Sequence, residues 1–389
     1  MRAVCWSGRN TVQVETVPDP AIVNPRDAIL RVQATSICGS DLHLYDGYVP
    51  GVRKGDVLGH EFMGEIVEVG KGVENLHPGD RVIVPSMLAC GACLHCRREE
   101  FALCDNTNPT AWMGEELFGQ APCGFFGYGS VAGGYAGSFA EYVRVPFADF
   151  GPRKVPEGLE DDQALFISDA FPTGYMGADL CGIEPGDTVA VWGCGAVGLF
   201  AIRSACLLGA ERVIAIDRFP DRLSKASDEA GAETLDYTAG DVVEALKQLT
   251  GGRGPDACID AVGMEAHKPG LEGGYDRVKQ ALRLETDRPY VIREAIQACR
   301  KGGTVSIMGV YGLVIDKFPL GAVVQKGIVI RAGLMHAHRY MDRLIGHAQR
   351  GDIDPSFVAT HRMGLEEAPR GFELFKRKQD GCLRVVLRP

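Results

Sequence analysis

The stretch from residue 188 to residue 217 limits the possible folds more than any other part of this sequence. Val189-Ala-Val-Trp192 is a continuous apolar run of strand length. It is followed by Gly193-Cys-Gly195-Ala196-Val197-Gly198, by an apolar helical stretch over 197–208, and by a second apolar run, 212–217, that ends on Asp217. The spacing G-x-G-x-x-G is weak alone, because 50 glycines make chance matches common. Placed after a strand, at the start of a helix and upstream of an acidic residue, it reads as a turn that brings backbone N–H groups up to a pyrophosphate. Asp217 can accept hydrogen bonds from both ribose hydroxyls, and its charge repels a 2′-phosphate, which favours NAD over NADP. Arg218 and Arg222 are cations close enough in sequence to soften that preference. A glycine-rich turn that holds no nucleotide is the competing reading.

Strand candidates at 188–192, 212–217, 234–237, 257–262 and 304–308 alternate with helix candidates at 197–208, 220–230, 241–250 and 293–300. That order predicts an α/β fold with a parallel, doubly wound sheet and right-handed crossovers. Residues 1–150 read instead as β-rich, with short alternating or β-branched runs at 11–17, 28–34, 64–69, 81–84 and 140–145 separated by Pro, Gly, Asn and Asp. Between 106 and 137 lies a glycine- and aromatic-rich loop with little periodicity, long enough to be functional or disordered. Apolar strands near 304–310 and 327–332 are expected to pair across subunits, giving a homodimer or homotetramer.

The start, Met1-Arg-Ala-Val-Cys-Trp, has no apolar segment ending in a small-residue cleavage site, so a cytoplasmic protein is expected. In that setting the 13 cysteines are not disulfide partners. Cys90, Cys93, Cys96 and Cys104 fall close together and can close a tetrahedral zinc shell with no position left for chemistry, which makes a structural zinc. An iron–sulfur cluster and a nucleic-acid-binding zinc ribbon compete with it. A net charge of −10 offers no basic surface for phosphates, so no nucleic-acid partner is expected. The same acidity disfavours anionic membranes, and the apolar run 188–202 is too short to span one. A second, dispersed set is Cys38-Gly-Ser40-Asp41-Leu-His43 with Gly59-His60-Glu61. A catalytic zinc needs three protein ligands and one exchangeable position. Cys38 and His60 are chemically suitable, but spacing alone does not unite them, and a lone Cys or His is more often a packing residue. Ser40 and Asp41 are equally suited to capping a helix that starts after Cys38. His43 is equally readable as a surface histidine, and Glu61 as a structural acceptor.

Taken together, these motifs resemble the zinc-containing medium-chain alcohol dehydrogenase family across nearly the whole chain. The resemblance implies a GroES-like β-rich catalytic domain at 1–170, with the structural zinc lobe at about 90–104, continued at 334–389. A Rossmann cofactor domain would occupy 171–333. It also implies two zinc ions and one NAD per chain and a small alcohol or aldehyde substrate. Where the family's usual third zinc ligand, a cysteine, precedes a Thr-Gly pair by four residues, this sequence has Asp169 before Thr173-Gly174. That substitution, the long loop before Gly137 and an insertion at 264–290 resemble the branch of glutathione-independent formaldehyde dehydrogenases and formaldehyde dismutases. In that branch the insertion helps to cover a tightly held NAD. The implied roles are Cys38, His60 and Asp169 on the catalytic zinc, Glu61 behind or beside it, and Asp41 orienting His60. Ser40 and His43 would carry the proton, and Thr173 would lie against the NAD. Phe62, Trp112, Phe125, Phe126 and Tyr128 are available to line a pocket, most of them as plain packing residues. The reaction implied is NAD-linked alcohol or aldehyde oxidation, or dismutation of formaldehyde. A non-catalytic nucleotide-binding sensor on the same scaffold is the alternative of a different class.

Overall fold

The computed structural model describes residues 1–265, 289–312, 315 and 317–389, so the insertion read at 264–290 lies, apart from its ends, outside the described residues. The chain divides into two compact units, Met1–Pro172 with Met335–Pro389, and Thr173–Leu334.

The first unit is built mostly on antiparallel pairing, with one parallel pair at the edge of its main sheet. β1 (Arg2–Gly8) and β2 (Thr11–Thr16) form one ribbon. The main sheet uses β3 (Ala28–Ile37), β4 (Glu61–Val69), β5 (Arg81–Val84), β6 (Tyr142–Val145) and β7 (Arg153–Lys154) from the N-terminal part. It adds β14 (His361–Gly364) and β15 (Val385–Arg388) from the end of the chain. Their order is β14-β15-β3-β4-β5-β7, with β6 also on β3. Apolar side chains from these strands fill two cores, one around Val4, Ile37, Leu58 and Phe372, the other around Leu30, Phe62, Val82 and Phe126.

Register decides what meets at one end of this sheet. Ser36 pairs with Glu61, Phe62 with Val84, and Val385 with Ile37. The strand ends just beyond those pairs carry Arg384, Cys38, His60 and Ser86 on four neighbouring strands. Gly59, at φ +99°, turns the chain into His60, and a Cβ there would lie 2.5 Å from the Phe139 ring, so only glycine fits.

The second unit carries β8 (Thr188–Trp192), β9 (Arg212–Asp217), β10 (Glu233–Asp236), β11 (Ala257–Asp260), β12 (Thr304–Ile307) and β13 (Val329–Ala332), all paired in parallel in the order β10-β9-β8-β11-β12-β13. Every residue of β8 is buried, as expected of a strand covered on both faces. Strand order reverses beside β8, the place where open parallel sheets bind ligands. The expected strands and helices of this unit appear within a few residues, whereas β1, β7, β14 and β15 carried too little alternation to be read. Among the described residues no helix is long and apolar enough to cross a membrane.

The loop expected at 106–137 contains a helix, Ala111–Phe118, and a 3-10 turn, Ser130–Ala132. The four-cysteine lobe beside it is fastened by Arg26. That guanidinium donates to both oxygens of Asp149, at 2.8 and 2.7 Å, and to the Cys90 carbonyl at 2.9 Å.

Helix Ala337–Gln349 brings His338 against Phe101 and Phe150, with ring centroids 5.1 and 5.5 Å apart. Both ring nitrogens of His338 are buried without a hydrogen-bond partner among the described residues. Burial, aided by Arg153 and His336, pushes its pKa down to about 3. The unfolded chain binds this proton at about pH 6.5 and the folded chain does not, so the stability present above pH 6.5 is lost as the pH falls toward 3. At pH 5 the loss is about 2 kcal/mol. His338→Phe is therefore expected to lose about 2 kcal/mol less than the wild type between pH 7.5 and 5 in urea titrations. Equal losses in the two proteins would contradict this account.

Candidate metal centres and nucleotide turn

Cys38, the residue after β3, is the N-cap of helix Gly39–Tyr45. Asp41 closes a capping box, its Oδ2 accepting the Cys38 N–H at 2.8 Å. Its Oδ1 faces His60 Nδ1 at 3.3 Å. One carboxylate thus caps the helix and orients the imidazole, so the two readings of Asp41 are not exclusive. With Nδ1 toward Asp41, Nε2 is left to ligate.

Asp169, just before helix Ala170–Asp179, is oriented in the same manner. Ser86 Oγ donates to its Oδ1 at 3.0 Å, leaving Oδ2 at 3.5 Å from Cys38 Sγ and 3.7 Å from His60 Nε2. Cys38, His60 and Asp169 each offer one ligand atom within 4.8 Å of the others. A tetrahedral zinc with ordinary bond lengths sets sulfur and oxygen about 3.6 Å apart and nitrogen and oxygen about 3.4 Å apart. The set fits zinc. Its electrostatics point the same way: burial opposes a proton on His60, but Asp41, Cys38 and Asp169 outweigh it and hold the imidazolium well above its ordinary range. A buried anionic set asks for a cation.

Around this set, Ser40 Oγ lies 2.9 Å from His60 Nε2 and keeps access to solvent. His43 is buried on the same helix, which removes the surface reading. Glu61 is fully buried; its Oε1 accepts the Ala170 N–H at 3.0 Å, which fixes the start of the helix behind Asp169. Burial pushes its carboxyl up to about 7 against the pull of Arg384.

Arg384 is the residue that sequence reasoning missed. Its Nη1 donates to the Ile37 carbonyl at 2.8 Å and stands 3.5 Å from Glu61 Oε2. Burial disfavours this cation, but Cys38 and Glu61 more than offset it and raise its pKa. No local motif marks Arg384; only the pairing of β15 with β3 brings it here.

The lobe forms a separate centre. Cys90 and Cys96 sulfurs lie 3.9 Å apart, and those of Cys93 and Cys104 lie 3.8 Å apart. Four thiolates around one zinc stand about 3.8 Å from one another, so this cluster also fits. Burial pushes the Cys90 thiol up, but the N–H groups of Ala92 and Cys93 and the Asn106 amide bring it down to about 6.

In the second unit, Gly193 takes φ +92° after β8, and a Cβ on Gly198 would come 1.7 Å from the Gly193 carbonyl oxygen. Among the described residues, Gly195, the N-cap of helix Ala196–Leu207, has no side-chain cap and nothing within 4 Å of the Cβ it lacks. The turn is thus tight inside and open outward, with the first-turn N–H groups of Ala196, Val197 and Gly198 available to a phosphate. Asp217 Oδ2 accepts the Cys194 N–H at 2.7 Å and Oδ1 the Arg218 N–H at 2.6 Å, which holds the carboxylate at the end of β9. Arg218 and Arg222 lie over the Phe219 ring, 4.8 and 5.2 Å from its centroid. Thr173, half-buried on helix Ala170–Asp179, belongs to this same unit.

Comparison with known proteins follows this division. Residues 24–156 match the profile of the alcohol dehydrogenase GroES-like domain, and residues 196–272 that of the zinc-binding dehydrogenases. An uncharacterized zinc-type alcohol dehydrogenase-like protein of Bacillus subtilis is 42% identical over the full length of both chains. A glutathione-independent formaldehyde dehydrogenase of Pseudomonas aeruginosa is 37% identical over 86% of this chain and 81% of its own. Among solved structures, an alcohol dehydrogenase from Thermus sp. ATN1 is similar with a TM-score of 0.83, at 38% identity over 100% of this chain and 99% of the other.

Proposed function

The chain belongs to the zinc-type medium-chain alcohol dehydrogenase family of oxidoreductases, and from that premise we propose that it moves a hydride between a small alcohol or aldehyde and NAD. Cys38, His60 and Asp169 would hold a catalytic zinc, and Cys90, Cys93, Cys96 and Cys104 a structural one. The observation that carries this reading is the approach of a thiolate, an imidazole and a carboxylate, from distant segments, to within 4.8 Å. Three ligands leave a fourth, exchangeable position.

When bound, zinc supplies a Lewis acid that lowers the pKa of a substrate oxygen, and NAD supplies the hydride acceptor. The rest falls to the chain. Cys38 and Asp169 together balance a divalent charge, and a carboxylate in place of a second thiolate makes the centre harder. Asp41 and Ser86 fix the ligand atoms in advance of binding. Ser40, beside Nε2 and open to solvent, accepts the hydroxyl proton of the substrate and passes it outward with His43. Glu61, engaged by Ala170 and Arg384, serves as an anchor. At the nucleotide turn, Gly193, Gly195, Ala196, Val197 and Gly198 would take the pyrophosphate, while Asp217, Arg218 and Arg222 would take the adenosine ribose. Thr173 would lie beside the nicotinamide half.

Formaldehyde is the substrate tried first, because the Pseudomonas aeruginosa relative is named for it. The test follows NADH formation with hydrated formaldehyde and with a series of primary alcohols, zinc content being measured in the same samples. A second incubation, with formaldehyde and no added NAD, looks for equal amounts of methanol and formate, the products of dismutation over a retained cofactor. NADH formation on any of these substrates supports the dehydrogenase reading. A zinc-loaded protein that turns over none of them would leave the sensor reading in its place.

A further inference from the structure

Asp260, the last residue of β11, is fully buried and takes no part in the metal set or the glycine turn. Its side chain gathers three donors. Oδ1 accepts the N–H groups of Val262 at 2.9 Å and Gly263 at 3.0 Å, and Oδ2 accepts the Tyr311 hydroxyl at 2.6 Å. Burial raises this carboxyl above its ordinary range, while Tyr311 and the two N–H groups draw it back. All three donors are neutral, and a carboxylate is a costly group to bury on such terms.

What it holds is a crossing of two chain segments, one leaving β11 and one leaving β12. They touch backbone to backbone: a Cβ on Gly309 would come 2.2 Å from the Gly263 nitrogen, and one on Gly263, at φ +68°, 2.5 Å from the Val310 nitrogen. The N–H groups of Met308 and Gly309 both donate to the Asp260 carbonyl at 2.9 Å, and that of Met264 to the Val310 carbonyl at 2.9 Å. Asp260 thus ties the crossing through its backbone and its side chain together. The crossing in turn bears on the glycine turn. A Cβ on Gly193 would come 2.6 Å from Val262 Cγ2, and one on Gly198 would lie 3.5 Å from Ala261 Cβ. Ala261, Val262, Val310 and Tyr311 keep access to solvent.

The order of the strands shows which part of a dinucleotide this crossing can serve. Asp217 ends β9, the glycine turn follows β8, and β11 and β12 come next in the sheet. Neighbouring strands stand about 4.8 Å apart, so β9 to β12 covers about 14 Å. A dinucleotide with its adenosine ribose at Asp217 and its pyrophosphate at the turn carries its second half toward the crossing, along the carboxyl ends of the strands. We propose that Asp260, acting with Tyr311, is a positioning residue for that second half. Its carboxylate sets the segments after β11 and β12 as one surface beside the glycine turn before the nicotinamide riboside arrives. Segments left loose would have to be ordered on binding, at the expense of affinity.

This role deepens the nucleotide reading of the proposed function and rests on it. Its test compares two ligands on the full chain: NADH, followed by its fluorescence, and AMP, which has the adenosine half alone, followed by calorimetry. A hydrogen bond to a buried carboxylate shifts an equilibrium by about tenfold or more. Asp260→Ala, which strands three donors, should weaken NADH at least tenfold and AMP less than twofold. Tyr311→Phe, at a half-buried position where one donor is lost and the ring kept, should weaken NADH at least threefold and leave AMP unchanged. Asp260→Asn should bind NADH within threefold of wild type, because its amide oxygen still accepts from Val262 and Gly263 and its NH2 can donate to the Tyr311 oxygen. NADH affinity unchanged in both Asp260→Ala and Tyr311→Phe, or NADH and AMP weakened alike, would overturn the positioning role and leave the glycine turn standing. A wild type that binds neither ligand would remove the nucleotide reading itself, and this role with it.

Discussion

Cys38→Ser is expected to reduce bound zinc from two ions per chain to one and to lower kcat/KM by about 10³-fold or more, measured by elemental analysis and initial rates on the same preparation. Serine has nearly the same size as cysteine but stays a neutral hydroxyl at pH 7, so the centre loses one ligand and one of its two negative charges. Serine is also a favoured N-cap, so helix Gly39–Tyr45 should not be weakened. Loss of activity would then belong to the metal rather than to unfolding. The lobe at Cys90, Cys93, Cys96 and Cys104 takes no ligand from β3 and should keep its ion. Asp169→Cys makes a useful companion, because it restores a negative ligand of suitable reach and should retain two zincs. Two zincs and activity within tenfold of wild type in Cys38→Ser would end the proposed mechanism.

Arg384→Met should cost about 3–5 kcal/mol of stability, because it leaves Glu61 buried without its counter-charge. The unfolding midpoint should fall by on the order of 10 °C. The same substitution placed on an exposed pair, such as Arg370 with Glu367, should cost under about 1 kcal/mol. The double variant Arg384→Met, Glu61→Gln should recover part of the loss, since the stranded charge is removed together with its partner. An Arg384→Met protein within about 1 kcal/mol of wild type in urea unfolding would show that Glu61 finds neutrality without the guanidinium.

How much of this could be read from the sequence depended on how local each feature is. The cysteine lobe and the nucleotide turn each occupy a few consecutive residues, so spacing and the flanking strand and helix were enough to identify them. Cys38, His60 and Asp169 were named through a resemblance and not through spacing, because what unites them is register across β3 and β4 and the Ser86 contact. Arg384 left no sign at all: an arginine before a short apolar run is ordinary, and its meaning comes from β15 lying beside β3. The 106–137 loop lacked periodicity because its order comes from glycine close approaches and backbone clamps. Whether Asp41 caps a helix or serves His60 could not be decided from sequence because its two oxygens do both.

The row of strand ends that carries Arg384, Cys38, His60 and Ser86 has one more consequence. Each of the four belongs to a different strand, and a one-residue slip in any pairing would turn that strand's side chains to the opposite face. A slip between β3 and β4 would also carry Cys38 and His60 out of line and leave no place for the ion. A zinc held at this end would therefore act as an inspector of β-pairing, and the fraction of chains that carry it would measure how many have paired β3 with β4 in the register that sets Cys38 beside His60.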